Sequence, residues 1–541
     1  MKVALVEWRP SKSVQQWGPL GLQYIAAELR KNKINTEIFL LEGVDLEKSY
    51  KVIVKDEPDV VGLTLFKENA EQILKLARTI KEAFPAKTVF LGGHTASLYG
   101  ARLMLENPFV DVVTFGEGEK TVLELCQRID RQIDLHGCRG IFYRKKGMIT
   151  RNDDRQLIED MDSLPFPVMD LLEKNETPRV PYIFVTVSTS RGCLGRCEFC
   201  VEHRVSSIRG KKEWRGRSPE NIVAELMLLR KRFQSKRLVI RFVDGAFEDP
   251  NPVKKERLHQ LMDLIEQNQL DITFSILTRA ESWKEEDKFF IEKMRKLGLF
   301  SVSIGLESGS DEALRIFGKR SNVEDNRRAC QLFRGAGVFV YGFIIMFQPY
   351  STIGELRETA EFIWKEGLAA RTEYWLHAVY LYPDTSLYRR TAYDGLITGT
   401  DEKNYIYNYA FYHAEAQRVY DITSVLQEQN SYLNYQISID KIMQELELYR
   451  IWKTRYAEMG EAEEMVQTFS AIVNEISSYV GKRQYQLFTE ILDKAEQGTL
   501  DEVKDKMIAE WDLILDKNYH ILNQEYIRFQ IKLGRAKIRI I

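Results

Sequence analysis

The sequence predicts an α/β protein in three parts: a doubly wound, Rossmann-like parallel sheet, a partial (β/α)6 barrel, and an all-helical C-terminal region. Short apolar runs alternate with amphipathic stretches over the first 130 residues, and again from about 182 to 395. Beyond residue 400 the chain has no proline, no cysteine and only four glycines, and apolar residues recur at spacings of three and four. We place the three domains at 1–135, 182–395 and 396–541, with a linker over 136–181.

Composition and charge exclude several classes of protein. The formal net charge of −2 gives no global field that would gather nucleic acid or coat an anionic membrane. The sequence has no run of about 20 apolar residues, which a membrane helix would need. The opening MKVALVEWRP turns polar after six residues, unlike a signal peptide. We therefore expect a cytoplasmic protein that acts without a membrane or nucleic acid.

The N-terminal part is predicted to be a parallel sheet, because short strands alternate with helices. The predicted strands are Val3–Val6, Thr36–Leu40, Val60–Leu65, Thr88–Leu91 and Val110–Thr114. The predicted helices are Leu20–Lys31, Ala70–Ala83, Ser97–Leu105 and Lys120–Ile129. Such sheets bind ligands beyond the carboxyl ends of their strands. In the linker, Gly140–Arg151 predicts a small hairpin that turns at Lys145–Gly147.

A second series of strands and helices follows the linker. Its predicted strands are Phe184–Ser188, Leu238–Val243, Ile272–Leu277, Phe300–Ile304, Val338–Met346 and Tyr374–Leu381. The clearest helix begins at Ser218-Pro219-Glu220, which has a capping serine and a proline at the first helical position. Six units are two short of a full (β/α)8 barrel, so we expect a curved, open barrel of six strands.

The strongest functional signal is the segment SRGCLGRCEFC, which places Cys193, Cys197 and Cys200 directly after a predicted strand. A loop with this C-x-x-x-C-x-x-C spacing can wrap three thiolates around one face of a cubane iron–sulfur cluster. Three ligands for four irons leave one iron open. The alternative is a zinc site completed by His203. We favour the cluster, because zinc knuckles usually occupy small, poorly packed modules and this loop caps a barrel strand.

The cysteine segment resembles the radical S-adenosylmethionine (SAM) superfamily, in which three cysteines of this spacing hold a [4Fe–4S] cluster. The resemblance spans roughly Tyr182 to Arg390. It implies that the methionine part of SAM chelates the open iron, and that one electron then breaks a sulfur–carbon bond to give a 5′-deoxyadenosyl radical. It also implies that Phe199, the aromatic residue before the third cysteine, lies near the adenine.

Further positions match the superfamily at the ends of later strands. In FVDGAFED the resemblance implies that Asp244 approaches the methionyl ammonium, although Gly245 stands where a second aspartate is common. In SIGLESGS it implies that Glu307 and Ser308 lie near the bound SAM. Arg279, in LTRAES, is expected beside the SAM carboxylate.

Four N-terminal segments resemble the cobalamin-binding domain attached to many radical SAM enzymes: GPLGLQYIAAELR, GLTLF, FLGGHTAS and VTFGEGEKT. The residues that the resemblance assigns to cobalamin are Trp17, Leu20, Thr64, Gly92, Gly93, His94, Gly116, Glu117 and Gly118. Glycines let the backbone approach a bulky nucleotide tail. The alternative is a generic flavodoxin-like sheet whose glycine pairs are turns. Four segments in the same order, upstream of a radical SAM motif, favour cobalamin.

The aspartate–histidine–glycine motif that supplies an imidazole below cobalt is absent. Aligning its glycine on Gly21 puts Gly18 where the histidine would be. His94 follows a different strand, and we interpret it as a contact to the nucleotide tail. The lower face of the cobalt is therefore expected to lack histidine, with Trp8, Arg9 or Trp17 packed there.

These resemblances imply a cobalamin-dependent radical SAM methyltransferase that methylates an unactivated carbon of a small molecule or natural product. Its electron donor would be a protein such as flavodoxin or ferredoxin. The alternative is a non-methylating enzyme of the same architecture, performing cyclisation, ring contraction or dehydration. A methylthiotransferase is disfavoured, because only Cys126 and Cys138 precede the motif. A non-catalytic sensor is disfavoured because it needs no open iron.

The aromatic segment NYIYNYAFYH, residues 404–413, follows the predicted barrel. We interpret it as a helical seam that docks the third domain on the barrel. The alternative is that it lines the barrel mouth, with Tyr409 or Tyr412 facing the substrate.

Overall fold

The computed structural model describes residues 1–10, 18–43, 45–174, 181–202, 207–208, 211–212, 214–248, 254–401, 405–453, 455 and 462–535. Within these ranges, no helix combines the length and the apolar character that crossing a membrane requires.

The N-terminal sheet has seven strands: β1 (Lys2–Arg9), β2 (Asn35–Glu42), β3 (Val60–Thr64), β4 (Thr88–Gly92), β5 (Val112–Thr114), β6 (Ile141–Lys145) and β7 (Met148–Arg151). Their order is β2-β1-β3-β4-β5-β6-β7. The first five strands are parallel, in the 2-1-3-4-5 order of flavodoxin-like sheets. The predicted hairpin forms as β6 and β7, and it extends the sheet because β6 pairs antiparallel with β5.

Helices cover both faces of this sheet. They are α1 (Leu20–Lys31), α2 (Leu46–Val54), α3 (Ala70–Ala83), α4 (His94–Glu106), α5 (Gly118–Asp130) and α6 (Asp170–Lys174). Alternate residues of β1 enter two separate cores, Ala4 and Val6 in one and Leu5 in the other, as expected for a sheet buried on both sides. The helix α2 was not predicted; Asp45 caps it by accepting the backbone N–H groups of the next turn.

The second domain contains β8 (Tyr182–Val187), β9 (Ser190–Arg191), β10 (Ser207–Ile208), β11 (Lys211–Lys212), β12 (Arg215–Gly216), β13 (Arg237–Phe242), β14 (Ile272–Arg279), β15 (Leu299–Glu307) and β16 (Phe339–Ile344). Five of these strands form a parallel sheet in the order β16-β15-β14-β13-β8. Its helices are α7 (Pro219–Arg232), α8 (Glu256–Gln267), α9 (Lys288–Leu297), α10 (Asp311–Ile316), α11 (Val323–Gly335), α12 (Ile353–Lys365), α13 (Glu373–Leu376) and α14 (Ser386–Tyr393).

The sixth predicted strand, 374–381, is reduced to a short parallel contact. Its first residues form α13, and pairing with the fifth strand's extension is limited to an isolated bridge between Phe347 and Ala378. Tyr374 and Trp375 are fully buried in the core that the barrel shares with the C-terminal helices. Apolar residues buried on that side can be accommodated by a helical turn as well as by a strand.

The C-terminal part begins with a hairpin of β17 (Ile397–Asp401) and β18 (Ile406–Tyr409). Four residues of the aromatic segment, Ile406–Tyr409, form a strand and none of its described residues is helical, so the prediction of a helical seam was wrong in its secondary structure. Aromatic residues at alternating positions favour an extended strand. The segment does dock: the Tyr407 N–H donates to the Leu381 carbonyl, and the Tyr99 hydroxyl donates to the Tyr405 carbonyl.

Among the described residues after the hairpin, four helices follow: α15 (Ala414–Gln427), α16 (Asn430–Trp452), α17 (Glu463–Gln497) and α18 (Leu500–Arg535). They confirm the predicted helical region. The helix α16 ends on the barrel, where the buried Trp452 indole donates to the Thr273 hydroxyl at 3.0 Å. One continuous apolar core joins these helices to the barrel strands.

Candidate functional site

The three motif cysteines lie between β9 and β10. All three residues are partly buried, and their thiols form no disulfide. Gly195 fixes their spacing, because a Cβ added there would lie 3.2 Å from Cys193 Sγ and 3.8 Å from Cys197 Sγ. Backbone N–H groups already point at two of the sulfurs: Gly195 donates to Cys193 Sγ at 3.3 Å and Glu202 donates to Cys200 Sγ at 3.5 Å. The loop thus brings Cys193 and Cys197 to the same glycine and directs a backbone N–H group at Cys193 and another at Cys200.

Burial raises the pKa of all three thiols, and that of Cys200 to about 12. Two neighbouring cations oppose this effect, Arg279 at Cys193 and Lys319 at Cys197. Iron binds thiolates, so a bound cluster and these cations would together keep the sulfurs deprotonated. Three thiolates with amide donors and two cations around them fit an anionic [4Fe–4S] cluster. His203, the fourth ligand of the zinc alternative, lies outside the described residues.

Asp244 braces the residues that lead into the cysteine loop. Its Oδ1 accepts the Thr189 N–H at 2.7 Å and the Ser190 N–H at 2.5 Å, and both hydroxyls donate to the same carboxylate. Burial raises the pKa of Asp244, whereas these donors and Arg257 lower it. The carboxylate is fully occupied by backbone and hydroxyl donors here. Its contact with the SAM ammonium stays a prediction.

Gly245 lies against the cysteine loop. A Cβ at this position would approach the Gly192 carbonyl oxygen at 3.3 Å, Cys193 Cβ at 3.5 Å and Glu202 Cδ at 3.6 Å. Glycine therefore lets β13's following turn pack directly under the loop. The structure also brings a carboxylate, Glu202, to the position where the superfamily commonly has its second aspartate.

Arg279 ends β14 beside the cysteine loop, 4.0 Å from the Cβ position of Gly195. Its Nε donates to Glu248 Oε1 at 2.7 Å. Glu248 is fully buried and also accepts the Thr278 and Ser282 hydroxyls, at 2.6 and 2.9 Å. Sequence reasoning missed Glu248, although it lies in the same FVDGAFED turn as Asp244.

Glu307 ends β15 with φ of +61°, in a region that is sparsely populated for residues other than glycine. Residues held in such backbone conformations are enriched at active sites and ligand-binding sites. Its carboxylate lies 3.4 Å from the Lys319 ammonium, which also donates to the Gly305 carbonyl at 2.9 Å. Burial raises the pKa of Glu307, and Lys319 opposes that rise. Sequence reasoning missed Lys319, since nothing local in GKRSN marks it as buried.

Ser308 and Phe199 help to shape the site from its edges. The Ser308 hydroxyl shares a 2.8 Å hydrogen bond with the Thr359 hydroxyl of α12, so it holds a helix against the barrel. Phe199 packs edge-on against Phe317, with ring centroids 5.3 Å apart. The Glu198 N–H donates to the Phe317 carbonyl at 2.8 Å, which ties the cysteine loop to the chain after β15.

In the N-terminal domain, the predicted cobalamin residues cluster at the carboxyl ends of β3 and β4. Thr64 is buried at the end of β3, and Gly92 follows at the same level of β4. Gly93 has φ of +96°, and a Cβ there would lie 2.9 Å from the Leu65 carbonyl oxygen. His94 begins α4, is exposed, and packs edge-on to Phe66 at 6.1 Å. These residues form one ledge at the ligand-binding edge of the sheet.

The remaining predicted cobalamin residues behave differently from one another. Gly116 has φ of +73° and open space around it, whereas a Cβ on Gly118 would strike Ile25 of α1 at 2.7 Å. Glu117, between them, points to the second domain: its carboxylate accepts Arg191 Nη1 at 2.9 Å and Arg215 Nη1 at 3.0 Å. Leu20 opens α1 and is partly buried. Trp17 lies outside the described residues.

Family models match both halves of this arrangement. Residues 187–363 match the model described as radical SAM superfamily, and residues 11–126 match the B12 binding domain. These are the two segments in which the cysteine loop and the glycine-rich ledge lie.

Relatives and solved structures agree with the family models. An uncharacterized methyltransferase of Pyrococcus horikoshii, PH0819, is 30% identical over 353 residues, which are 64% of this chain and 72% of that protein. The anaerobic magnesium-protoporphyrin IX monomethyl ester cyclase of Rubrivivax gelatinosus is 26% identical over 63% of this chain, and the match spans only 61% of the cyclase.

The structure of the cobalamin-dependent SAM radical enzyme OxsB, with aqua-cobalamin and SAM bound, superposes with a TM-score of 0.68 at 18% identity. The alignment covers 99% of this chain and 81% of OxsB. At that identity the likeness establishes the fold, including the helical C-terminal part. The chain belongs to the radical SAM superfamily, in the group that carries a B12-binding domain, and is an enzyme whose cofactors are a [4Fe–4S] cluster, SAM and cobalamin.

Proposed function

We propose that this enzyme is a cobalamin-dependent radical SAM methyltransferase that methylates an unactivated carbon of a small-molecule or natural-product substrate. When bound, the cluster would supply one electron to SAM and cobalamin would carry a methyl group. The chain's own residues hold these groups, orient them toward each other and exclude water.

The observation that carries the proposal is the direct contact between the two ligand-binding edges. Glu117 follows β5 of the N-terminal sheet, and Arg191 lies two residues before Cys193; their side chains are 2.9 Å apart. A carbon held between cobalamin and the cluster would therefore be within reach of both. A methyl transfer that also needs a substrate radical requires that proximity.

The barrel lumen favours a small, polar substrate. Along β13–β16, one set of alternating residues is buried in the apolar core between the sheet and the outer helices. The residues that alternate with them are partly accessible: Arg241, Ser275, Ser301, Ser303 and Tyr341. The Tyr341 hydroxyl already donates to Glu373, but the serine hydroxyls and the guanidinium on this partly accessible face suit a ligand with several hydrogen-bonding groups.

The names of the relatives support methylation, and they also define the competing reaction. The Pyrococcus relative, whose match reaches 30% identity, is described as a methyltransferase. The Rubrivivax relative is a cyclase, which corresponds to a non-methylating enzyme of the same architecture. We place the electron donor, a flavodoxin or ferredoxin, and the enzyme itself in the cytoplasm, and we propose no nucleic-acid partner.

The two reactions differ in how they consume SAM. Anaerobically purified enzyme, reconstituted with iron, sulfide and cobalamin, would be reduced and incubated with methyl-labelled SAM and a small-molecule extract of the source cells. Mass spectrometry would then quantify S-adenosylhomocysteine, 5′-deoxyadenosine and labelled products.

A methyltransferase gives S-adenosylhomocysteine, 5′-deoxyadenosine and a labelled product, and omission of cobalamin abolishes the first and the third. Formation of 5′-deoxyadenosine alone, with a product that carries no label, would contradict methylation. The variant Cys197→Ala is the matched control, because it removes the cluster and should abolish 5′-deoxyadenosine.

A further inference from the structure

Four charged side chains cross the boundary between the cobalamin-binding domain and the barrel. Arg191 donates from Nη1 to Glu117 at 2.9 Å and from Nη2 to Glu119 at 2.5 Å. Arg215 donates from Nη1 to both oxygens of Glu117 at 3.0 Å. We call these four residues, Glu117, Glu119, Arg191 and Arg215, the domain clamp.

The carboxylates of the clamp stand at the end of the cobalamin ledge. Glu117 immediately precedes α5, and Glu119 lies in the first turn of that helix. Anions at a helix N-terminus interact favourably with the helix dipole, so this position suits both carboxylates. Gly116 and Gly118 flank Glu117, so the same turn serves the predicted cobalamin site and the clamp.

The arginines of the clamp stand at the base of the cysteine loop. Arg191 and Arg215 pair with each other in the β9–β12 ladder, and Arg191 lies two positions before Cys193. On the opposite side, Asp244 of the barrel holds Thr189 and Ser190. The residues that lead into the cysteine loop, 189–191, therefore contact Asp244 of the barrel and the clamp carboxylates of the cobalamin-binding domain.

The side chains of the domain clamp are largely buried, so each charge depends on its partner in the clamp. The side chains of Arg191, Glu117, Glu119 and Arg215 are only 20%, 11%, 4% and 7% exposed. Two nitrogens of Arg215, Nε and Nη2, are buried without a hydrogen-bond partner, so its hydrogen bonds to Glu117 and to the Ile158 carbonyl all come from Nη1, and Glu117 is the carboxylate that balances its charge. The Arg191 guanidinium also lies over the Tyr24 ring of α1, 5.3 Å from its centroid. Removing one partner of such a pair leaves a charge that cannot reach water.

We propose that Glu117 and Glu119 are positioning residues that, through Arg191 and Arg215, set the distance and orientation between the cobalt and the iron–sulfur cluster. The inference rests on the two cofactors of the proposed function, but it does not depend on methylation. It also gives Glu117 a role other than a cobalamin contact.

A distance measurement tests the clamp without turnover. Holoenzyme with cobalamin in the cobalt(II) state and with the cluster reduced carries two paramagnetic centres, whose dipolar coupling in pulsed electron paramagnetic resonance reports their separation. The variants are Glu117→Gln, Glu119→Gln and the charge-preserving Arg191→Lys. Glu173→Gln is the matched control, since it removes an exposed ion pair to Arg232 that also links the linker to the barrel.

We expect Glu117→Gln and Glu119→Gln to bind iron and cobalamin at wild-type stoichiometry, yet to give a broadened and shifted distribution of cobalt–cluster distances. Arg191→Lys, which loses the two-pronged contact, should broaden it as well. Glu173→Gln should match the wild type. Unchanged distributions in the three clamp variants would overturn the proposal.

Loss of cofactor is an equally decisive outcome. If Glu117→Gln loses cobalamin and keeps its iron and its SAM binding, Glu117 is a cobalamin contact and not a positioning residue. If Glu117→Gln fails to fold, Glu119→Gln decides the question alone, because Glu119 contacts Arg191 and is not itself a predicted cobalamin contact. A failure of methylation with a clamp-dependent distance would refute the proposed reaction only.

Discussion

The carboxylate of Glu307 lies 3.4 Å from the ammonium of Lys319, and both side chains are buried beside the cysteine loop. We expect Lys319→Met to destabilise the enzyme by about 3–5 kcal/mol, because it leaves Glu307 buried without its cation. The loss is measured as a fall in the thermal midpoint of the holoenzyme. The double variant Lys319→Met/Glu307→Gln should recover most of it.

An exposed pair provides the control for that prediction. Lys365 and Glu361 are about half exposed and pair within one turn of α12. Lys365→Met should cost less than about 1 kcal/mol, as surface pairs do. Equal losses at Lys319 and Lys365 would contradict the view that the Glu307–Lys319 pair is a buried, mutually dependent unit.

The stability of the C-terminal helical region should depend on pH through Glu445. Burial raises the pKa of Glu445 to about 7, although the Tyr526 hydroxyl donates to it at 2.9 Å. Since the folded pKa exceeds the unfolded one, the stability that Glu445 contributes is present below about pH 4.5 and is lost as the pH rises through 7. Glu445→Gln should therefore raise the thermal midpoint at pH 8 and leave it nearly unchanged at pH 4.5.

The surface variant Glu415→Gln, whose carboxylate is half exposed beside Arg418, is the control for that titration. It should shift the midpoint little at either pH. A benefit of Glu445→Gln that is the same at pH 4.5 and pH 8 would show that packing, and not ionisation, is responsible.

Gly93 predicts a local effect on cobalamin. An alanine there meets the Leu65 carbonyl oxygen at 2.9 Å and must also adopt a positive φ. Gly93→Ala should therefore displace the turn between β4 and α4 and lower the cobalamin bound per chain, measured from the visible spectrum after desalting. Gly147→Ala is the matched control: it has the same sign of φ but open space, and it should retain cobalamin.

The three motif cysteines should be needed for iron binding, and the buried Cys330 should not. Replacing Cys193, Cys197 or Cys200 by alanine should remove most of the cluster iron, measured by elemental analysis after anaerobic reconstitution. Cys330→Ala should keep it, because Cys330 is fully buried in the apolar core of the barrel. Zinc bound in place of iron in the wild type would contradict the cluster.

Much of the fold could be predicted from the periodicity of apolar residues and from the glycines, prolines and capping residues that end helices and strands. Five N-terminal strands and the helix Ala70–Ala83 appear where alternation and amphipathicity place them. The sixth barrel strand could not be predicted correctly, because its apolar residues satisfy a helix packed on the C-terminal domain as well as they satisfy a strand. Local sequence does not reveal which partner an apolar run will meet.

The site shows a similar division. A contiguous motif such as the cysteine loop can be recognised from spacing alone. Lys319 and Glu248 could not, because their importance lies in contacts across strand ends that only the fold brings together. Glu117 was identified as a site residue from its glycine-rich turn, yet its carboxylate contacts arginines of the other domain.

Tyr405 belongs to the C-terminal hairpin but is buried in the apolar core of the N-terminal domain, where Tyr99 donates to its carbonyl at 2.5 Å. During synthesis the first 130 residues leave the ribosome long before Tyr405 is made. Until then the apolar core of the N-terminal domain lacks one of its buried side chains, and the site that Tyr405 fills is exposed. The N-terminal domain therefore depends on a residue of the C-terminal hairpin, and cutting the chain between the two removes part of its core. A fragment that ends before residue 405 should be prone to self-association for this reason alone.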